Sequence, residues 1–299
     1  MIQTELKNYV PPEKSAVVMF SGGLDSTVSA IQMAKRFQRV VLMTVDLPYT
    51  INLRYCTKNL IKLRTAFPDV QIEHMIINGN GVRRSIWSNF CDDYFTFCKG
   101  RGIGITCLGC KMTMMVLAIK VCLRDGIGHL SNGITRSQIA HPHSTPQMVN
   151  RFGDFIAEYN IVYINDVYEI NTRKDEMVIL EKYNLDQGIV IGASSITHQP
   201  RCFIGPPTKL WLEAAPINRD DMLDYFDNKI PVMRDILAPY AKCKRKLRNR
   251  PELHTRVDES FQGYHTYEFS PLIDRFIGLF FLPVWLVIKN IFFLCRKNK

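Results

Sequence analysis

The chain has 299 residues, of which 46% are hydrophobic and 22% are charged, and its formal net charge at pH 7 is +10. This composition excludes a disordered or collagen-like chain and is typical of a globular protein with a core. The positive charge predicts an acidic partner, which could be a nucleotide, nucleic acid or anionic lipid. Nine cysteines and a polar N-terminal segment without a signal-peptide pattern favour a reducing, cytoplasmic setting with metal-bound or free thiols.

A loop rich in serine and glycine follows the first apolar run. Residues 16–20 have the pattern of a buried strand, and residues 27–34 have apolar side chains at helical spacing. Glycine amides and a helix N-terminus between them can surround a phosphate, while Asp25 can hold a magnesium ion. An ordinary turn between strand and helix is the alternative, and the Lys ending of a Walker loop is missing. The predicted nucleotide-binding residues are Ser21, Gly22, Gly23, Leu24, Asp25 and Ser26.

Strand and helix patterns alternate over the next part of the chain. Residues 39–46 and 71–77 have strand patterns, with a predicted helix over residues 52–66 between them. This order predicts a Rossmann-like α/β fold, in which a parallel sheet carries helices on both faces. Ligands of such sheets bind at the carboxyl ends of the strands. Asp46 lies there and is a predicted nucleotide contact, with a simple strand-end carboxylate as the alternative.

Residues 128–138 have the pattern of a short strand that ends in a polar, glycine-containing loop. Its position at the same sheet edge predicts contacts with nucleotide or substrate. His141 and His143 alternate further along, and we interpret them as solvent-facing loop residues rather than metal ligands. The predicted contacts in this segment are Asn132, Gly133, Thr135, Arg136 and Gln138.

Three cysteines lie around a glycine-rich segment. Cys107 and Cys110 are separated by two residues and are predicted to open a helix over residues 112–123, a spacing that allows both sulfurs to bind one ion. Cys98 lies upstream as a third ligand, and Cys202 is the predicted fourth ligand of a closed zinc site. A [4Fe–4S] cluster is the alternative if only three thiolates converge, and ordinary cysteines at a helix start are a further interpretation.

A charged segment precedes a predicted helix at residues 177–183. Thr172 can cap this helix, and Glu176 supports its first turn. Lys174 is unfavourable beside the positive end of a helix dipole, so we predict that it reaches a phosphate. A solvated lysine is the alternative.

Taken together, these motifs resemble the QueC group of PP-loop ATP pyrophosphatases, the 7-cyano-7-deazaguanine synthases. The sequences that carry the resemblance are SGGLDS at residues 21–26, CLGC at 107–110 and TRKDE at 172–176. The resemblance implies a Rossmann-like domain with cysteine-bound zinc. It also implies an enzyme that uses ATP and magnesium to adenylate a carboxylate of 7-carboxy-7-deazaguanine, releases pyrophosphate, and uses ammonia to form an amide and then a nitrile.

The same resemblance assigns roles to particular residues. The loop at residues 21–26 would bind pyrophosphate, and Asp25 and Lys174 would be catalytic. The metal ligands would be Cys98, Cys107 and Cys110. Two other functions stay open: a PP-loop sulfur transferase with an iron–sulfur cluster, and a nucleotide-binding module of a larger assembly, for example in anti-phage defence.

The last third of the chain is predicted to be a helical, basic addition followed by an apolar tail. Amphipathic helices are predicted at residues 220–226 and 232–240. The basic run from Lys242 to Arg250 would bind nucleic acid or anionic lipid, or form a solvated helix face. The apolar segment from Phe276 to Cys295 is predicted to attach the otherwise cytoplasmic chain to a membrane or a protein partner. A dimer is one option for the oligomeric state, and the predicted divisions are residues 1–205, 206–270 and 271–299.

Overall fold

A computed structural model of the protein describes most of the first 247 residues. The described residues are 11–48, 50–51, 53, 56–98, 104–136, 141–170, 172–185, 190–191, 194–195, 201–202 and 218–247. Gln138, the end of the basic run and the apolar tail from Phe276 to Cys295 lie outside them. The predictions for those segments therefore stay predictions, as do the three divisions of the chain.

A parallel sheet of five strands forms the centre of the fold, in the order β4–β2–β1–β5–β6. Two short antiparallel pairs, β3 with β9 and β7 with β8, lie outside this sheet. The strands are β1 (Ser15–Met19), β2 (Arg39–Asp46), β3 (Thr50–Ile51), β4 (Gln71–Asn78), β5 (His129–Ser131), β6 (Val162–Ile164), β7 (Val190–Ile191), β8 (Ser194–Ser195) and β9 (Arg201–Cys202).

Helices cover both faces of the sheet, so the predicted Rossmann-like α/β fold is confirmed. They are α1 (Leu24–Ala34), α2 (Cys56–Ala66), α3 (Asn80–Ile86), α4 (Phe90–Cys98), α5 (Gly104–Asp125), α6 (Pro146–Ala157), α7 (Arg173–Glu181) and α8 (Arg219–Leu247). The strand β1 is buried along its whole length because alternate residues join opposite cores. Val17 and Met19 pack with α5, α6 and α8, whereas Val18 and Phe20 pack with α1, α2 and α7.

The helix α5 is the centre of one core. Within the described part of the chain, it alone has the length and mean hydropathy (1.7) of a membrane span, but 72% of that window is buried inside the fold. The prediction that this helix begins at residue 112 was wrong. It begins at Gly104, because Ile105 and Leu108 continue its apolar stripe and are fully buried.

The helix α8 also differs from the prediction. Two helices were predicted between residues 220 and 240, but one continuous helix contains both Pro231 and Pro239. Proline removes a backbone hydrogen bond, and burial of the apolar face of α8 against α5 offsets this loss. Tyr225, Phe226 and Leu237 are fully buried there. The helical addition is therefore part of the same core as the sheet.

Smaller differences occur at the ends of other elements. The helix α2 begins at Cys56 rather than at residue 52, and residues 189–195, predicted as one strand or loop, contain the two-residue strands β7 and β8. Boundaries of this kind depend on packing more than on local sequence pattern.

A buried ion pair joins α8 to α4. The Nζ atom of Lys229 lies 2.6 Å from Oδ2 of Asp93, and the side chains are only 3% and 7% exposed. Loss of one partner leaves the other charge buried without compensation, which is costly.

We expect Lys229→Met to lower the free energy of unfolding by about 3–5 kcal/mol, because Asp93 would stay buried without its partner. Arg151→Met is the matched control. Arg151 of α6 pairs at 2.6 Å with Asp227, which lies in α8 as Lys229 does, but both of these side chains are solvent-accessible. That change should cost only about 0.2–1 kcal/mol. Urea unfolding of both variants measures the difference, and equal losses would contradict the role of the buried pair.

Candidate active site

The candidate site lies at the carboxyl end of the sheet, where the strand order changes direction. The chain proceeds from β1 to β2 on one side and later adds β5 on the other side of β1. The ends of β1 and β5 thus form the crevice in which open α/β sheets bind ligands. The loop at residues 21–26 follows β1, and the polar segment at 132–135 follows β5.

Hydroxyl groups hold the loop at residues 21–26 in shape. Ser26 donates to the carbonyl of Gly23 at 3.1 Å, and Thr27 donates to the same carbonyl at 2.7 Å. Ser21 Oγ lies 3.0 Å from Ser26 Oγ and accepts a hydrogen bond from the amide of Gly23 at 3.3 Å. The loop is therefore ordered by its own side chains at the N-terminus of α1, where backbone amides favour an anion.

Two glycines are required by close backbone approaches. Gly22 has φ +73°, and a Cβ atom there would lie 2.7 Å from Cα of Cys56. A Cβ atom on Gly133 would lie 2.6 Å from the backbone nitrogen of Ser26 and 2.7 Å from the carbonyl carbon of Asp25. The segment after β5 thus packs directly on the first turn of α1, beside the predicted phosphate site.

A pair of carboxyl groups faces this turn. Glu176 in α7 is 2% exposed and forms a hydrogen bond with Asp25. Burial and the neighbouring Asp25 raise the pKa of Glu176 to about 8. A divalent cation would allow both carboxylates to ionise, and oxygen ligands of this kind suit magnesium. From the sequence we expected Glu176 only to support its helix. Its contact with Asp25 could not be predicted, because the two residues are far apart in the chain.

The segment before α7 holds that helix in place. Thr172 caps it as predicted, because its Oγ1 accepts the backbone amide of Asp175 at 3.2 Å. Lys174 lies in the first turn and is exposed. Its predicted contact with a phosphate stays a prediction, and Glu176 is the residue of this segment that reaches Asp25.

The remaining strand-end residues have different surroundings. Asp46 ends β2 beside Asn78, and Thr135 is fully buried. Asn132 is also buried: its Oδ1 accepts the amide of Ile134 at 3.0 Å, and its Nδ2 donates to the Tyr163 hydroxyl at 2.6 Å. The amide group of Asn132 thus stabilises the segment itself, and its predicted contact with nucleotide or substrate stays a prediction.

Lys111 and His143 also belong to this region, although neither was predicted as a site residue. Burial lowers the pKa of Lys111 to about 8 while the charge of Asp25 acts against this shift, so the two groups are within electrostatic reach. Burial, and then the charges of Lys111 and His141, lower the pKa of His143 well below its usual value. Both histidines are partly buried. The interpretation of His141 and His143 as solvent-facing loop residues was therefore wrong.

The four predicted metal-binding cysteines separate into two groups. Burial, and then the nearby Cys202 and Cys107, raise the pKa of Cys110, so both cysteines lie within electrostatic reach of its sulfur. The strand β9 carries Cys202 and pairs with β3. Cys98 is buried, and its sulfur interacts with the first backbone amides of α5. Within the described residues, no three Cys, His, Asp or Glu side chains lie close enough to hold a metal ion as they stand.

The sequence of residues 15–93 matches the model of the family described as "Queuosine biosynthesis protein QueC". This match contains the whole loop at residues 21–26, and it confirms the resemblance to the QueC group of PP-loop proteins over that part of the chain. The rest of the chain lies outside the matched residues. No curated protein sequence matches the chain.

Two solved structures are similar in outline. The U34-tRNA thiolase NcsA from Methanococcus maripaludis, with its [4Fe-4S] cluster, has 14% identity and a TM-score of 0.41, over 77% of this chain and 72% of that chain. A predicted subunit of tRNA methyltransferase from Methanocaldococcus jannaschii has 14% identity and a TM-score of 0.35, over 56% of this chain and 75% of that chain. Similarity at this level does not bear on what the present chain binds.

We expect Gly133→Ala to weaken ATP binding by roughly tenfold or more, because the added methyl group must displace the first turn of α1 by overpacking. Gly128→Ala is the control, since a Cβ atom there would have no heavy atom within 4 Å in its surroundings. Calorimetric titration with ATP measures both, and an unchanged affinity of Gly133→Ala would contradict the close packing of this turn.

The Asp25–Glu176 pair predicts how stability depends on pH in the absence of divalent cations. The pKa of Glu176 is about 8 in the folded state and 4.5 in the reference state, so the folded chain binds more protons between these values. Its stabilising contribution is complete below pH 4.5 and is lost as the pH rises through 8. In EDTA, the wild type should therefore lose stability relative to Glu176→Gln over this range. If the melting temperatures of the two proteins changed equally with pH, this result would contradict the raised pKa of Glu176.

Proposed function

We propose that this protein is an ATP-dependent adenylating enzyme of the PP-loop type, which activates a carboxylate or carbonyl group of a small molecule or modified base and releases pyrophosphate. The observation that carries the proposal is the self-ordered loop at residues 21–26, whose Asp25 pairs with the buried Glu176. An anion site beside two carboxyl groups is the arrangement that a magnesium–nucleotide complex requires.

The residues of the loop account for binding of the phosphates. The backbone amides at the start of α1 would receive the β- and γ-phosphates, with Ser21 and Ser26 supplying hydroxyl donors. Asp25 and Glu176 would hold magnesium, and the ion would neutralise the charge that develops on the leaving pyrophosphate. Because the loop is ordered by its own hydrogen bonds, its donors need little rearrangement as that charge forms.

The proposal extends to the acceptor and the nucleophile. A deazaguanine-like carboxylate, with ammonia as the nucleophile, follows from the QueC resemblance. In-line attack of the acceptor oxygen on the α-phosphorus would form an acyl-adenylate and pyrophosphate, and ammonia would then displace AMP with release of a proton. Holding both reactants in one crevice supplies much of the rate enhancement in such reactions.

A thiolate-bound metal is a separate part of the proposal. The donor set fits zinc or a cluster with three thiolates, because Cys107 and Cys202 both lie within electrostatic reach of Cys110. Cys98 fits this group less well, since it interacts with the backbone amides of α5. Bound zinc would stabilise the first turns of α5 against β9. Iron with acid-labile sulfide would instead favour sulfur transfer as the second candidate function.

We expect Cys110→Ser to lose the bound zinc or iron, and Cys98→Ser to retain the metal. Elemental analysis and visible spectroscopy after anaerobic purification measure both metals and distinguish zinc from an iron–sulfur cluster. Purified wild type without either metal would contradict the thiolate site, and loss of metal in both variants would restore Cys98 as a ligand.

The central experiment measures the magnesium dependence of ATP binding and of pyrophosphate release with 7-carboxy-7-deazaguanine as acceptor. We expect Asp25→Asn and Glu176→Gln to lower pyrophosphate release by roughly a hundredfold, because each removes a ligand of the ion that neutralises the leaving group. Asp154→Asn, an exposed carboxylate in α6, is the control. ATP binding that is independent of both magnesium and Asp25 would contradict the proposal.

A further inference from the structure

Two backbone carbonyls at the start of the loop at residues 21–26 are held by side chains from other elements. The buried Nδ2 group of Asn59, in α2, donates to the carbonyl of Gly22 at 2.6 Å. The buried hydroxyl of Thr44, in β2, donates to the carbonyl of Phe20 at 2.7 Å. Both donors therefore come from parts of the chain that lie outside the loop.

The two peptide groups held in this way carry their amides on the opposite side. In a planar trans peptide, the carbonyl oxygen and the following N–H point in opposite directions. The amide of Ser21 accordingly donates to Oγ of Ser26 at 3.2 Å, and the amide of Gly23 donates to Oγ of Ser21 at 3.3 Å. These bonds are longer than the usual value of about 2.9–3.0 Å. Both amides can therefore turn to a stronger, anionic acceptor.

The peptide between Gly22 and Gly23 needs this support most. Both of its residues are glycines, which have no Cβ atom to prevent a rotation that exchanges the positions of carbonyl and amide. After such a rotation, the carbonyl oxygen of Gly22 would face the phosphates and repel them. Asn59 is well placed to prevent it, because it follows Cys56 by three residues on the same face of α2. The Cα atom of Cys56 would lie only 2.7 Å from a Cβ atom on Gly22.

The hydroxyl of Thr44 is itself oriented by a third group. Because its proton is donated to Phe20, its oxygen can accept the Nε2 proton of His74, which lies 2.8 Å away in the neighbouring strand β4. The direction of the bond from Thr44 to Phe20 is thus fixed by the sheet.

We propose that Asn59 and Thr44 are positioning residues for the β- and γ-phosphates of ATP. They hold the carbonyls of Gly22 and Phe20 away from the anion, so that the amides that follow face it. This inference rests on the proposed function, since it assumes that the loop binds these phosphates. Both side chains act through the backbone of the loop rather than by contact with the nucleotide.

The test compares ligands with and without the phosphates that the loop would hold. Calorimetry in the presence of magnesium measures the affinities for inorganic pyrophosphate, a non-hydrolysable ATP analogue and adenosine. We expect Asn59→Leu to bind pyrophosphate and the analogue roughly tenfold to a hundredfold more weakly, the range of a hydrogen bond to a charged group. Its affinity for adenosine should equal that of the wild type, because adenosine has no phosphate.

A second set of variants tests Thr44. Thr44→Val removes the hydroxyl but keeps the shape of the side chain, and we expect it to weaken pyrophosphate binding as Asn59→Leu does. Thr44→Ser retains the hydroxyl and should bind pyrophosphate as the wild type does. Ser15→Ala is the matched control. The buried hydroxyl of Ser15 also donates to a backbone carbonyl, that of Pro11 at 3.0 Å, but at the amino end of β1.

The outcomes separate this inference from the proposed function. Failure of the wild type to bind pyrophosphate and the analogue would overturn both. If the wild type binds them, an unchanged affinity for pyrophosphate in Asn59→Leu would overturn the inference alone. An equal loss for adenosine, an equal loss in Ser15→Ala, or a Thr44→Ser variant as weak as Thr44→Val would overturn it as well.

Melting temperatures show whether each variant folds. If Asn59→Leu does not fold, Asn59→Ala takes its place, because it removes the amide group without adding an apolar branch. Failure of both variants to fold would assign Asn59 to the core alone and would overturn the inference.

Discussion

Two carboxyl groups, the buried Glu176 and the partly buried Asp25, meet at the centre of this site, and ionisation of both below about pH 8 is unfavourable without a cation. Glu176 is almost fully buried and hydrogen-bonded to Asp25, so its pKa is raised to about 8. A pair of this kind destabilises the fold as the pH rises unless a metal ion compensates it. The rest of the site is consistent with that requirement, since the helix N-terminus beside the pair favours the anions that accompany magnesium.

The sheet places these groups together through its strand order. Because β1 lies between β2 and β5, the loop after β1 and the segment after β5 meet at one edge, and Gly133 contacts the first turn of α1 directly. The helix α5 then brings Lys111 to the same edge while its apolar stripe fills the core. The site thus depends on a helix that is held by packing against α8, and the buried pair of Lys229 and Asp93 joins α8 in turn to α4.

Much of the fold could be predicted from the sequence, because the strands alternate with helices and the phosphate loop has a distinctive local pattern. Gly133 could also be placed, since its position after a strand defines the sheet edge. Glu176, Lys111 and His143 could not be assigned in this way. Their places in the site come from contacts between residues far apart in the chain, and nothing in their local sequence distinguishes them from helix-supporting or loop residues. The start of α5 was predicted too far along the chain. The glycines at 104 and 109 obscure the apolar stripe of this helix, and burial of that stripe extends the helix towards its N-terminus.

The most direct measurement is an experimental structure of the protein with magnesium and a non-hydrolysable ATP analogue. We expect a magnesium ion about 2.0–2.1 Å from oxygen atoms of both Asp25 and Glu176, with the β- and γ-phosphates at the amides of residues 21–26. A metal ion bound elsewhere, with the hydrogen bond between Asp25 and Glu176 intact, would contradict it. So would phosphates that lie away from the N-terminus of α1.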